Sequence, residues 1–148
     1  MSKIGLAVAL FLFSTLAGCD RRLSSGCLSG RSDALLAGGF TGPIVCSIED
    51  STFVEIGQIR DHVLYDYRYR YLPAGGAVMR GGQKVVVFKG ARYAGQYALN
   101  PPPYANVSLK GSRVLFQTDG YSGVSVMEFA NGPPRRVFSG GYFSDLHR

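Results

Sequence analysis

Three residue types in this 148-residue chain could carry chemistry: three cysteines, two histidines and ten carboxylates. His62 opens an alternating stretch and His147 is the penultimate residue. A lone histidine at such a place is more often structural than a general base, because proton transfer needs a nucleophile or substrate held within hydrogen-bond reach. The zinc-protease pattern HExxH, the hydrolase elbow GxSxG and the redox pair CxxC are missing. Gly120-Tyr121-Ser122-Gly123 lacks the elbow spacing, and the Gly-Gly pairs do not build GxGxxG. Glu49-Asp50 is the single adjacent acidic pair, and its place between apolar stretches is that of a solvated turn. No set of side chains can be assigned as nucleophile, base and stabiliser together. The sequence therefore predicts a non-enzymatic protein without a metal site or cofactor.

The cysteines divide into one and two. The chain opens MSKIGLAVALFLFSTLAGCD, in which Lys3 precedes an apolar run over 4–16. A charged start followed by a short apolar run has the layout of an export signal. A spanning helix would need about 20 apolar residues. The run ends in Leu16-Ala17-Gly18-Cys19, which resembles the lipobox of bacterial lipoproteins at all four positions. The resemblance covers residues 1–19 and does not extend into the domain that follows. It implies a cleaved signal peptide over 1–18, a diacylglycerol on the Cys19 thiol, and a fatty acid such as palmitate on the new amino group. Each buried methylene contributes about 0.8 kcal/mol, so two or three chains hold a protein on a bilayer where one does not. The expected address is the bacterial cell envelope, lipid-anchored and facing the periplasm, and Asp20, which resembles the retention signal of enteric lipoproteins, favours the inner membrane. Cys27 and Cys46 remain. In an oxidising compartment such a pair reads as a disulfide, stabilising by about 3 kcal/mol for a loop of roughly 20 residues. Two buried thiols, or a metal pair lacking its other ligands, are the alternatives.

Charge narrows the partners. Removing Lys3 from a net charge of +6 leaves +5 on the mature chain, and most of the basic residues are arginine. In a cytosolic protein this balance would suggest nucleic acid. Export argues against nucleic acid and leaves anionic lipid, acidic envelope polymers, an acidic protein, or simply a solvated surface.

The elements that must position any site are strands. Residues 19–31 are small and polar, as in a flexible tether. Residues 32–38 fit one or two helical turns, with Ser32 as cap and Gly38 as stop. Beyond Pro43, strand candidates follow at 44–48, 52–59, 62–72, 77–80, 84–88, 92–99, 106–109, 113–118, 121–129 and 135–143. Turn signals separate them, among them Gly81-Gly82, Asp119-Gly120 and Asn131-Gly132-Pro133-Pro134. Lys-Gly-small-Arg occurs twice, at 89–92 and 110–113, each between two strands. This spacing predicts an all-β fold, a single small antiparallel sandwich or barrel-like domain over 32–148.

Within it, HVLYDYRYRYLP puts Tyr65, Tyr67, Tyr69 and Tyr71 on one strand face and Leu64, Asp66, Arg68 and Arg70 on the other. The expectation is a half-buried strand whose rings pack on the core, with Asp66 paired on the wet face to Arg68 or to a cross-strand arginine. Candidate partner contacts are Arg68 and Arg70 on that strand, and Tyr97 and Tyr104 beside the stiff Pro101-Pro102-Pro103 segment. The sequence thus points to a lipid-anchored binding module with a protein partner, either an inhibitor or immunity-type lipoprotein against an envelope-targeting toxin or lysozyme, or an accessory subunit of a secretion or assembly machine. Cys19→Ala should leave the signal uncleaved, remove the acyl mass and move the chain out of the membrane fraction. Cell fractionation with intact-mass analysis measures all three.

Overall fold

The computed structural model of the chain describes residues 31–45, 50–99, 104–118, 123–139 and 142–148. Cys19, Cys27, Cys46 and the three consecutive prolines lie outside the described residues. Among the described residues one helix, α1 (Ser32–Ala37), precedes nine strands: β1 (Ser51–Ile59), β2 (His62–Tyr71), β3 (Arg80–Lys89), β4 (Arg92–Leu99), β5 (Ala105–Lys110), β6 (Arg113–Thr118), β7 (Val124–Glu128), β8 (Arg136–Ser139) and β9 (Tyr142–Asp145). All of these ladders are antiparallel. They form a four-stranded sheet in the order β1-β2-β3-β4, a three-stranded sheet β5-β6-β7 and the hairpin β8-β9. The all-β reading is correct.

The three sheets meet edge to edge. β1 contacts β5, β7 contacts β8, and β4 contacts β9, so the strands follow one another around a barrel-like ring. The strands send side chains into a common interior, which holds Ile59, Leu64, Val85, Val87, Tyr97, Val114, Phe116, Met127 and Val137 among others. The last described residues add one more pairing to β4: Gln96 and His147 exchange backbone hydrogen bonds of 2.8 and 3.0 Å.

Bulges make the corners. β1 shifts register between Glu55 and Gly57, and the β3–β4 ladder shifts at Val87/Phe88, opposite Gly95. A bulge bends a strand and increases its twist. At Gly57 a Cβ would lie 2.8 Å from Leu109 Cδ2 on β5. At Gly95 it would lie 2.7 Å from Leu146 Cδ1 and 2.8 Å from the His147 carbonyl. Both glycines therefore stand where the four-stranded sheet is approached by its neighbours.

A second apolar cluster lies on the outer face of the same sheet. Leu35 of α1 packs there with Tyr65, Tyr67, Val86 and Phe88, flanked by Phe40, Ile44, Phe53 and Tyr93. A six-residue helix is not stable alone, so α1 exists because Leu35 is fully buried and Gly38 lies against the Tyr93 ring. The helix differs from expectation at its start. Arg31 is the N-terminal flanking residue without a side-chain cap, and Ser32 is already helical and buried, whereas Gly38 does end the helix. The Arg31 guanidinium lies over the Tyr65 and Phe88 rings at 5.1 and 4.7 Å.

Several boundaries moved. Gly81-Gly82 is not a turn: both glycines belong to β3 and pair with Arg70 and Tyr69. Their bare backbone leaves room for an aromatic, since a Cβ on Gly82 would meet the Tyr69 hydroxyl at 2.6 Å. The candidate at 77–80 is instead mostly the loop before β3, and 135–143 is a hairpin rather than one strand. Residues 44 and 45 are not in a strand, and the rest of that candidate lies outside the described residues. The two Lys-Gly-small-Arg segments are the expected two-residue hairpin turns, with Gly90 at φ 59° and Gly111 at φ 61°.

Gly95→Ala should destabilise the domain by about 2–4 kcal/mol, because φ there is +147° and the new methyl meets the Leu146 side chain and the His147 carbonyl. Gly123→Ala, with open space around its Cβ, should change stability by less than about 0.5 kcal/mol. Urea denaturation of the two variants makes the comparison.

Candidate functional site

The tyrosine row divides along its length. Tyr65 and Tyr67 are buried beneath the N-terminal segment, while Tyr69 and Tyr71 continue the ring contacts toward the strand end. Phe53 stacks on Tyr65 at 4.6 Å between centroids. The Tyr67 hydroxyl donates to the Pro43 carbonyl at 2.7 Å and accepts from the Val45 N–H at 3.0 Å. It thereby fixes an irregular stretch that has no ladder of its own. Burial pushes this phenol up to about 12. The first rings of the row are therefore core, as a strand packed under a covering segment requires.

The opposite face of β2 corrects the expected wet face. Leu64 is fully buried and Asp66 is 8% exposed, because that face looks into the barrel. Asp66 and Arg68 do pair, Nε to Oδ2 at 2.9 Å, but inside one end of the ring. Gln83 completes the arrangement from β3. Its amide nitrogen donates 2.8 Å bonds to Asp66 Oδ1 and to the Ala105 carbonyl, and its oxygen accepts from the Ala105 N–H at 2.8 Å. Arg68 Nη2 reaches the same carbonyl at 3.1 Å. The Gln83 side chain thus acts as a substitute peptide group that ties the first sheet to the start of β5. Sequence inspection passed over Gln83. The signal was a glutamine placed two residues before the inward-facing Val85 of an apolar strand.

This network supports a cleft. Asp50, Ser51, Thr52, Arg68, Tyr69, Arg70 and Tyr104 line about 240 Å³ at the β1–β2 end. The Arg68 guanidinium lies 5.6 Å from the Tyr104 ring, and the Tyr104 hydroxyl donates to the Tyr69 carbonyl at 3.1 Å. The Arg70 backbone N–H donates to the Asp50 carbonyl at 2.6 Å, which fixes the strand from which its exposed side chain projects. Partial burial raises the Tyr104 phenol and the two arginines oppose that rise. Three of the four candidate contacts, Arg68, Arg70 and Tyr104, are therefore brought together.

Tyr97 is not with them. It is fully buried in the barrel interior, and its hydroxyl donates to the Pro134 carbonyl at 2.5 Å. Its neighbour in sequence, Gln96, points outward because the strand alternates, and Tyr97 takes the inward place opposite Val85. It cannot be presented to a partner.

His62 and the charges elsewhere make local pairs. His62 Nδ1 lies 2.9 Å from Asp61, which also receives Lys89 at 3.1 Å at a hairpin turn. Arg136 forms a two-point pair with Asp145 across the β8–β9 hairpin. Among the described residues no three His, Cys, Asp or Glu side chains gather into a group that could hold a metal ion.

No family model, curated protein or solved structure matches this chain. The cleft must therefore be read from its own chemistry. Its lining residues are two arginines, two tyrosines, a serine, a threonine and Asp50, around a volume below the roughly 300–1,000 Å³ of pockets that engulf a drug-sized ligand. One or two side chains of a larger partner fit it better than a cofactor does.

Desolvation raises the Asp66 carboxyl above its ordinary value, with the Gln83 and Arg68 hydrogen bonds acting against that rise. Between the ordinary and the raised value the folded chain holds more protons than the unfolded one. The contribution of Asp66 to stability therefore falls as pH rises through that window and is level above it. Gln83→Leu should cost about 2–4 kcal/mol by stranding the Ala105 N–H and one carboxylate oxygen of Asp66, and should push Asp66 higher still. Urea midpoints against pH, with a carboxyl NMR titration of Asp66, measure both effects.

Proposed function

We propose that this protein is a lipid-anchored envelope lipoprotein whose β domain works as a non-catalytic binding module. Its partner is an envelope-targeting protein, a toxin or a wall-degrading hydrolase such as lysozyme, which it blocks. The observation that carries this reading is the cleft of Arg68, Arg70 and Tyr104. Arginine and tyrosine are the residue types that most often dominate binding energy at protein interfaces. Here Asp66, Gln83 and the Ala105 backbone hold the Arg68 head in place beforehand. A preorganised guanidinium loses little freedom on binding and recognises a carboxylate through two parallel hydrogen bonds. An acidic side chain on the partner is thus the natural occupant. Lipidation at Cys19 supplies the membrane attachment, and residues 19–31 supply the reach.

The chain from residue 19 onward with Cys19→Ser retains every described element and serves as bait in an envelope extract. The expected result is one stoichiometric toxin or hydrolase, its affinity reduced about 30-fold or more by Arg70→Glu, with an unchanged urea transition, and likewise by Tyr104→Ala. Recovery of secretion or assembly proteins alone would reject the inhibitor reading in favour of an accessory subunit.

A further inference from the structure

An exposed, charge-free loop joins β2 to β3. Between Arg70 and Arg80 the chain reads YLPAGGAVM, with no ionisable group except the Tyr71 phenol. Leu72, Val78 and Met79 are 58%, 73% and 46% exposed. The loop is not a loose excursion. It joins two ten-residue strands paired up to Tyr71 and Arg80, and the Gly76 N–H donates to the Pro73 carbonyl at 2.9 Å to make a tight turn. Large apolar side chains held outward at a rigid tip are costly in water and mark a contact surface.

We infer that this β2–β3 tip is a membrane-contact element that enters the interface of an anionic bilayer. The ordering of side chains carries the assignment. Leu72, Val78 and Met79 form the apolar end. Tyr69 and Tyr71 lie behind them on one strand, where ring-bearing residues favour the headgroup level. Arg70 and Arg80 are both exposed at the roots of the loop, and neither has an ion-pair partner among the described residues. Basic groups at that depth meet lipid phosphates. A protein-binding hot spot would instead present a large aromatic at the centre of the patch. Here the outermost residues are aliphatic and small.

Reach is consistent with the assignment. The tether enters the domain at Arg31, whose guanidinium approaches the Gly90 carbonyl at the far end of β2 and β3. A ten-residue strand is about 33 Å long, and the twelve residue steps from Cys19 to Arg31 span at most about 40 Å. The tip can therefore lie on the membrane that holds Cys19. The setting rests on the envelope reading, but the chemistry of the tip is independent of acylation, so the test omits the anchor.

The chain has no tryptophan, so Val78→Trp installs a single reporter in the Cys19→Ser chain from residue 19. With vesicles of phosphatidylglycerol and phosphatidylethanolamine, its emission should move to shorter wavelength and be quenched by lipids brominated in the acyl chain. Val124→Trp, on the outer face of another sheet and 53% exposed, should not respond. Arg70→Glu and Arg80→Glu should each weaken vesicle binding at least about fivefold, and a Leu72→Asp/Val78→Asp chain without tryptophan should no longer sediment with vesicles. Four results would overturn the inference. The first is an unresponsive Val78→Trp reporter in a chain with a normal urea transition. The second is an equal response from Val124→Trp. The third is binding to phosphatidylcholine alone as strong as to the anionic mixture. The fourth is a shift of the Val78→Trp emission that follows protein concentration without lipid, which would make the tip a contact between copies. Loss of partner capture by Tyr104→Ala with vesicle binding intact would separate the two sites.

Discussion

Burial of β2 and β3 on both faces is the constraint from which the remaining structure follows. A strand in a one-layer sheet needs one apolar face. These two strands need both, because the barrel interior lies on one side and α1 with Phe40 and Ile44 on the other. Six consecutive residues of β3, Gln83 to Phe88, are buried, and so are four of β2, Leu64 to Tyr67. Such strands cannot accommodate free charge at their centre. Asp66 is tolerated only because Gln83 and Arg68 satisfy it, and Lys84 pays for its place beneath Phe40 with an ammonium pKa pushed down by burial. The same two-sided burial explains why an irregular N-terminal segment is ordered at all: it is the lid on the outer cluster, held by the Tyr67 hydroxyl.

The architecture was legible where pattern and packing agree. Alternation over 62–71, the Lys-Gly-small-Arg turns and the apolar run at 84–88 each specify one local answer, and the fold kept it. Legibility failed where a tertiary neighbour decided. Alternation showed that Tyr65 and Asp66 face opposite ways but not that both faces are covered, since the cover on one side comes from residues 32–45 and on the other from β5 to β8. Gly81-Gly82 carries a turn signature in isolation, yet the Tyr69 ring fills the space over Gly82 and the ladder runs through. For the site, Arg68, Arg70 and Tyr104 were identifiable by type. Tyr97 belongs to the same types, but its parity on β4 sends it inward. Gln83 was passed over because a single polar residue beside an apolar run gives no hint of a backbone partner twenty-two positions away.

The cleft and the apolar tip lie along the same strand. Arg70 belongs to the first as a lining group and to the second as a root, with Tyr69 beside it in both. A partner bound at the cleft would therefore also lie close to whatever the tip touches. The supporting network faces the barrel interior, whereas α1 and Phe40 pack on the opposite face of the same strands.

Arg31 gives that separation a mechanical meaning. Its guanidinium rests on the Tyr65 and Phe88 rings where the leader meets the domain. Tension drawn through the leader would load this contact and the short helix behind it before any ladder of the ring. The helix and Phe40 would yield first, like a strain relief on a cable, while the hydrogen-bonded ladders behind them still hold.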